Sequence, residues 1–249
     1  MDIIIRKREI SGIPLLELSD TAGEKRPLVL MFHGYGDRKE CLIAQAYYLT
    51  TQGFAVVLPD VWGHGERFDG AISDFFESVA RTADEVDTLL DHFKNEPYAD
   101  AERAGITGYS MGGCIVYEYI SRPSPGVKAA VPIIATPDWA ALMARPATAK
   151  LYMEYGLVGS DKEMAHLISK AEAVQPLHRL QAVTGLPLLM LNGSQDPLMP
   201  AGTVEAFYGR MHPLYTDGEA LKLSVHPNTG HADTVWMNME MADWFRKYL

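Results

Sequence analysis

The sequence predicts an α/β fold with a mostly parallel central sheet. Three observations carry that reading. Short apolar runs alternate with longer helical patterns along most of the chain. The motif Gly108-Tyr109-Ser110-Met111-Gly112 stands between one apolar run and the helix that follows it. Further on, Asp196 and His231 each follow a strand pattern, so three chemistry-bearing residues fall on loops at strand ends.

Taken in order, Ile3–Ser11 and Ile13–Leu18 read as a hairpin around Gly12, and residues 21–25 as a turn. Leu28-Val29-Leu30-Met31-Phe32 is apolar throughout, as a strand buried on both faces requires. A helix is expected over 39–52, stopped by Gly53, and then a strand over 54–58. A long loop through Gly70 leads to a helix over 74–95, ended by Pro97. A strand over 103–107 and a helix over 111–121 flank the Gly-x-Ser-x-Gly motif. Pro123 and Pro125 punctuate before a strand over 127–134. The last elements are a strand over 187–191, a helix over 203–212, a strand over 220–225 and a helix over 234–249. Right-handed crossovers then order the strands into one sheet.

Residues 137–183 break the alternation, being too long for one crossover helix. Helical patterns at 140–144, 147–155 and 161–173 carry Trp139, Leu142, Met143, Tyr152, Met153, Tyr155, Met164 and Leu167. The segment reads as a small helical cap inserted into a single domain spanning 1–249. Such a cap excludes water and shapes an apolar pocket over the strand ends. Trp139 and Tyr152 of this segment, with Trp62 before it, are the candidate substrate-binding residues.

Net charge is −10, from 22 basic and 32 acidic residues. Nucleic acids and anionic membranes want a basic face, so neither is expected as a partner. The 47% hydrophobic content suits a sizeable core. No apolar run approaches the roughly 20 residues of a membrane span. Residues 1–8 read as a strand rather than a signal peptide, and the expected location is the cytoplasm. There the two cysteines, Cys41 and Cys114, are expected to stay unpaired. No His-Glu-x-x-His or paired-cysteine pattern is present, so neither a metal nor a cofactor is expected. The oligomeric state is left open.

Ser110 falls on a tight strand-to-helix turn, where glycines two residues either side leave room for the chain. A serine is a weak nucleophile without a histidine base and a carboxylate to orient it. His231 follows the Asn228-Thr229-Gly230 turn and is the candidate base; His226, still tied to its strand, is the rival. Asp196 lies just past a strand and is the candidate acid. Asp217 is far from any strand end, and Asp233 is too close to His231 in sequence to brace it end-on.

With these motifs the chain resembles the α/β-hydrolases, most of all the small bacterial serine esterases related to the prolyl-oligopeptidase and dienelactone-hydrolase branches. The chain order Ser, Asp, His is theirs. His33-Gly34-Tyr35-Gly36 resembles their His-Gly oxyanion loop, which implies the backbone amides of Tyr35 and Met111 as oxyanion donors. Asp60-Val61-Trp62-Gly63-His64-Gly65 resembles their Asp-x-x-Gly-His-Gly turn, with Glu66 where a serine is usual. Within this resemblance His33, His64 and Asp60 are structural. It implies a serine carboxylesterase for small, short-acyl esters, working through Ser110, His231 and Asp196. Thioesterase, lactonase and small peptidase or amidase activities would use the same site. A hydrolase-fold binding protein without turnover is the non-enzymatic alternative.

Overall fold

The computed structural model describes residues 2–71, 74–154 and 158–249, so Tyr155 of the second helical pattern in segment 137–183 lies outside the described residues. The chain opens with the hairpin β1 (Ile3–Ile10) and β2 (Ile13–Asp20). β3 (Arg26–Phe32), α1 (Ile43–Thr51) and β4 (Ala55–Pro59) follow. The helix expected from residue 39 begins instead as a 3₁₀ turn over Lys39–Leu42. Next come α2 (Phe75–Phe93), β5 (Ala99–Tyr109), α3 (Met111–Ile120) and β6 (Ala129–Ile133). Segment 137–183 holds α4 (Trp139–Met143), α5 (Pro146–Glu154), α6 (Asp161–Val174) and two 3₁₀ turns. The chain closes with β7 (Leu188–Gly193), α7 (Ala201–Met211), β8 (Leu221–His226) and α8 (Val235–Tyr248).

The strands form one sheet in the order β1-β2-β4-β3-β5-β6-β7-β8. β1 and β2 pair antiparallel with each other, and β2 antiparallel with β4; from β4 onward every pairing is parallel. β5 starts ahead of its apolar run. Ala99 and Asp100 pair with Arg26 and Pro27 across a register shift that the polar sequence does not advertise.

Strand side chains alternate between faces, and both faces are covered. Leu28, Leu30 and Phe32 of β3 join a core shared with Val79 and Val86 of α2 and Ile115 of α3. Val29 and Met31 point the other way, into a core with Leu49 of α1 and Met241 and Phe245 of α8. This explains why β3 is apolar at every position from Leu28 to Phe32 rather than alternating. α8 packs so closely that a Cβ on Gly105 would stand 2.7 Å from Phe245 Cε1. The parallel strands all point their carboxyl ends to one edge, where the loops after β3, β5, β7 and β8 meet. Among the described residues no helix is long and apolar enough to cross a membrane, and no group of three or more His, Cys, Asp or Glu could hold a metal ion.

Candidate active site

Ser110 sits between β5 and α3 with φ 56° and ψ −116°, a conformation few residues other than glycine adopt. Its amide donates to Ile133 O at 3.0 Å, and its carbonyl accepts from Cys114 N at 3.0 Å in the first turn of α3. The flanking glycines are steric necessities. A Cβ on Gly108 would stand 2.4 Å from Gly112 C and O, and one on Gly112 would stand 2.1 Å from Phe32 O. Beside this turn Ile134 also has a positive φ of 44°, which is strained for a β-branched residue. Nothing in the sequence signals it.

His231 arrives from the loop after β8 and Asp196 from the loop after β7. Cross-ties hold the two loops together: Gln195 N donates to Thr229 O at 2.9 Å, and Ser194 N to His226 O at 2.9 Å. A Cβ on Gly193 would come within 2.3 Å of Thr229 O, so glycine permits this apposition. His231 Nε2 is 2.9 Å from Ser110 Oγ, and His231 Nδ1 is 2.8 Å from Asp196 Oδ2. The other carboxylate oxygen, Oδ1, accepts from Leu198 N at 2.9 Å and Met199 N at 2.8 Å. A carboxylate only accepts, so Nδ1 carries the proton and Nε2 faces Ser110 with its lone pair. The rival His226 is elsewhere, with Nε2 3.0 Å from Glu240 Oε1.

The loop after β3 runs alongside, and a Cβ on Gly34 would stand 3.7 Å from Ser110 Cβ. His33 anchors this loop. Its Nε2 accepts from Val61 N at 3.0 Å, so its Nδ1 donates to Gly34 O at 2.8 Å. Burial lowers its pKa and keeps the ring neutral. Met111 opens α3, where the first amides have no acceptor within the helix.

Asp60 ties the neighbouring turn together. It accepts from the amides of Lys39 and Glu66 at 2.9 and 3.0 Å, and pairs with Lys39 Nζ at 2.7 Å. Lys39 Nζ also binds Glu66. Burial works against the Lys39 ammonium. Its bonds to Asp60, Glu66 and Glu40 outweigh that and hold it above its usual range. Gly65, at φ 58°, is packed so tightly that a Cβ would fall 2.1 Å from Asp60 Oδ1.

A cavity of about 1030 Å³ opens over Ser110 and His231. Tyr35, His64, Leu142, Met143, Leu151 and Tyr152 are among its lining residues. Of the three candidate substrate-binding aromatics, Tyr152 reaches the cavity, and burial pushes its phenol pKa up. Trp139 and Trp62 do not line it. Trp139 is 1% exposed and stacks on Phe76 with ring centroids 5.6 Å apart. Its large apolar ring is satisfied in the core, where it fastens α4 to α2. Trp62 lies between the guanidinium groups of Arg67 and Arg81, 4.6 and 4.4 Å from its ring centroid. These cation–π contacts turn it aside from the cavity.

Residues 41–249 match the prolyl oligopeptidase family. The chain belongs to that family. It is 26% identical over 255 residues to the candidate esterase YitV of Bacillus subtilis (strain 168), covering 99% of this chain and 100% of that one. It is 24% identical over 205 residues to the esterase YjfP of Escherichia coli (strain K12), covering 80% and 81% of the two chains. Among solved structures, TT1662 from Thermus thermophilus superposes with a TM-score of 0.76 at 20% identity, over 99% of this chain and 98% of that one. The fold is the α/β-hydrolase fold, and this member of the prolyl oligopeptidase family is a hydrolase.

Proposed function

We propose that the protein is a serine carboxylesterase acting on small, short-acyl esters through an acyl-enzyme intermediate. One observation carries the reading: the continuous hydrogen-bond chain from Ser110 Oγ through His231 to Asp196, at 2.9 and 2.8 Å. Ser110 Oγ attacks the ester carbonyl while His231 Nε2 takes its proton. The tetrahedral oxyanion is held by the amides of Tyr35 and Met111, each worth on the order of 10²–10³ in rate. The intermediate collapses, the C–O bond breaks, and His231 returns the proton to the leaving alcohol. Water then attacks the acyl-enzyme by the same proton route and releases the acid. Asp196 holds the His231 tautomer and stabilises its cationic form.

Segment 137–183 acts in this reading as a cap, because Leu142, Met143, Leu151 and Tyr152 all face the cavity. These apolar side chains receive the acyl group, with Tyr152 as the substrate-binding aromatic. The two free cysteines and the net charge of −10 fit a cytoplasmic setting.

The test is hydrolysis of p-nitrophenyl esters from acetyl to palmitoyl, with the butyryl thioester, a lactone and butyryl p-nitroanilide as further arms. A fluorophosphonate label is mapped by mass spectrometry alongside. The expected outcome is a single adduct on Ser110 and the highest kcat/KM among short acyl esters. Labelling at another residue, or thioester, lactone or anilide turnover well above that of the oxyester, overturns the assignment.

A further inference from the structure

The turn that carries Tyr35 ends in a negative charge. Asp37 N donates to Gly34 O at 3.2 Å and closes the turn, with Gly36 inside it at φ 78°. Asp37 is exposed and lines the cavity over Ser110. Its carboxylate folds back over Gly34. A Cβ on that glycine would stand 3.2 Å from Asp37 Oδ2 and 3.7 Å from Ser110 Cβ. The carboxylate is therefore no further from the nucleophile's side chain than those two distances laid end to end. Among the described residues no hydrogen-bond donor or cation meets it. Arg38, next in the chain, has its Nε 3.8 Å from Glu40 Oε2, and Lys39 is held by Asp60. Asp233 is the other carboxylate on the cavity wall, and it differs by accepting from Gln45 Nε2 at 3.0 Å and Asn238 Nδ2 at 3.3 Å. The charge of Asp37 also reaches His33 and His64, where it works against the effect of burial.

Resting on the esterase reading, the turn that bears this carboxylate also bears the Tyr35 amide. Negative charge develops on the substrate carbonyl oxygen beside that amide. An unpaired carboxylate on the same turn repels it. A cation on the substrate cancels that repulsion and gains a contact of its own. Bonds of about 1.5 Å put a group two to four bonds from the ester carbon within reach of Asp37 once the carbon is attached to Ser110 Oγ. The carboxylate only accepts hydrogen bonds, so the complementary group is a cation such as an ammonium.

We propose that Asp37 forms a subsite for an ammonium group carried two to four bonds from the ester carbon, so that the enzyme favours esters of amino acids or amino alcohols over their neutral isosteres.

Two matched pairs of substrates test this: ethyl 3-aminopropanoate against ethyl butanoate, and choline butyrate against 3,3-dimethylbutyl butyrate. Within each pair an ammonium group replaces a carbon group of the same shape. kcat/KM is measured at neutral pH for the wild type and for Asp37→Asn. Comparing the cationic-to-neutral ratio between the two proteins cancels the intrinsic reactivity of each ester. In Asp37→Asn the ratio should fall about tenfold or more for at least one pair, the scale of one charge contact. The neutral ester of that pair should gain, because the variant no longer opposes the oxyanion. A fall in the first pair puts the ammonium on the acyl part, and a fall in the second puts it on the alcohol. Asp37→Ser removes the same charge and carries the test if Asp37→Asn does not fold. Ratios within about twofold of wild type for both pairs in a folded variant overturn the subsite. Failure of folded wild type to hydrolyse either neutral ester overturns the esterase reading itself, and the subsite falls with it.

Discussion

The Lys39 ammonium and the Asp60 carboxylate meet at 2.7 Å with both side chains wholly removed from solvent. Asp60 receives the amides of Lys39 and Glu66, so the same carboxylate serves an ion pair and two backbone donors. The chain on either side leads to Val61, whose amide donates to His33 Nε2. A charge pair therefore sits under the loop that carries Tyr35. Removing one buried partner strands the other charge, at about 3–5 kcal/mol. Lys39→Met should lose that much stability in urea unfolding. Adding Asp60→Asn should recover part of it, because it removes the stranded charge while its amide oxygen still accepts from one of the two backbone donors. A loss under about 1 kcal/mol in the single variant would mean that the pair contributes nothing net.

The two histidines after β8 should separate cleanly. Ser110→Ala and His231→Ala should each lower kcat by several orders of magnitude and not add in the double variant, because they act as a unit. His226→Ala should stay within about tenfold of wild type, since its ring lies against Glu240 and away from Ser110. Steady-state kinetics on one p-nitrophenyl ester, with circular dichroism to verify folding, reads both. A dead His226→Ala beside an active His231→Ala reverses the assignment.

Acid should unfold this protein partly through His33 and His64. Burial lowers the pKa of both in the folded state. The unfolded chain then binds more protons than the folded one just below the ordinary histidine value of about 6.5. The stability of these neutral rings is full above that pH and is lost as pH falls below it. The slope is up to about 1.4 kcal/mol per pH unit for each ring. Urea unfolding at pH 7.5, 6.5 and 5.5 should show the decline, and His33→Gln should flatten it. An identical slope in wild type and variant would show that His33 takes no part.

The motif-bearing loops were legible because each needs particular residues in a particular order. Gly108 and Gly112 tolerate no Cβ, Gly193 none either, and the strand patterns placed Ser110, Asp196 and His231 at one edge. Other parts had no local signature. Asp37-Arg38-Lys39-Glu40 are four charged residues in a row, yet Lys39 is fully buried. Asp60, 21 residues along the chain, and Glu66 beyond it supply the carboxylates that make this tolerable. Trp139 and Trp62 illustrate a second limit. Their size predicts contact with other side chains, but not whether the contact is with the core, a pair of arginines or a cavity. Gln45 and Asp233 meet across 188 positions, a pairing no short-range pattern encodes. Ile134 keeps a positive φ because its amide donates to Leu191 O at 2.7 Å, a tertiary cause.

Acyl preference should be set by the apolar side of the cavity. Leu142 and Met143 come from α4, Leu151 and Tyr152 from α5, and Phe75 from the start of α2. Two of these are aromatic and add bulk to the wall, so acyl chains of about C2 to C6 should be preferred. Each methylene that fits should gain up to about 0.8 kcal/mol, and the first that does not should reverse the trend. Tyr152→Ala or Leu151→Ala should move that turning point to longer chains, because each removes bulk from the wall. Trp139→Ala should act differently. It empties a core site between α4 and α2, which should cost about 3–5 kcal/mol of stability. Chain-length profiles of kcat/KM, paired with unfolding midpoints, distinguish the two effects. Unchanged profiles in both α5 variants, or best activity on palmitoyl esters, would place the acyl group on another wall.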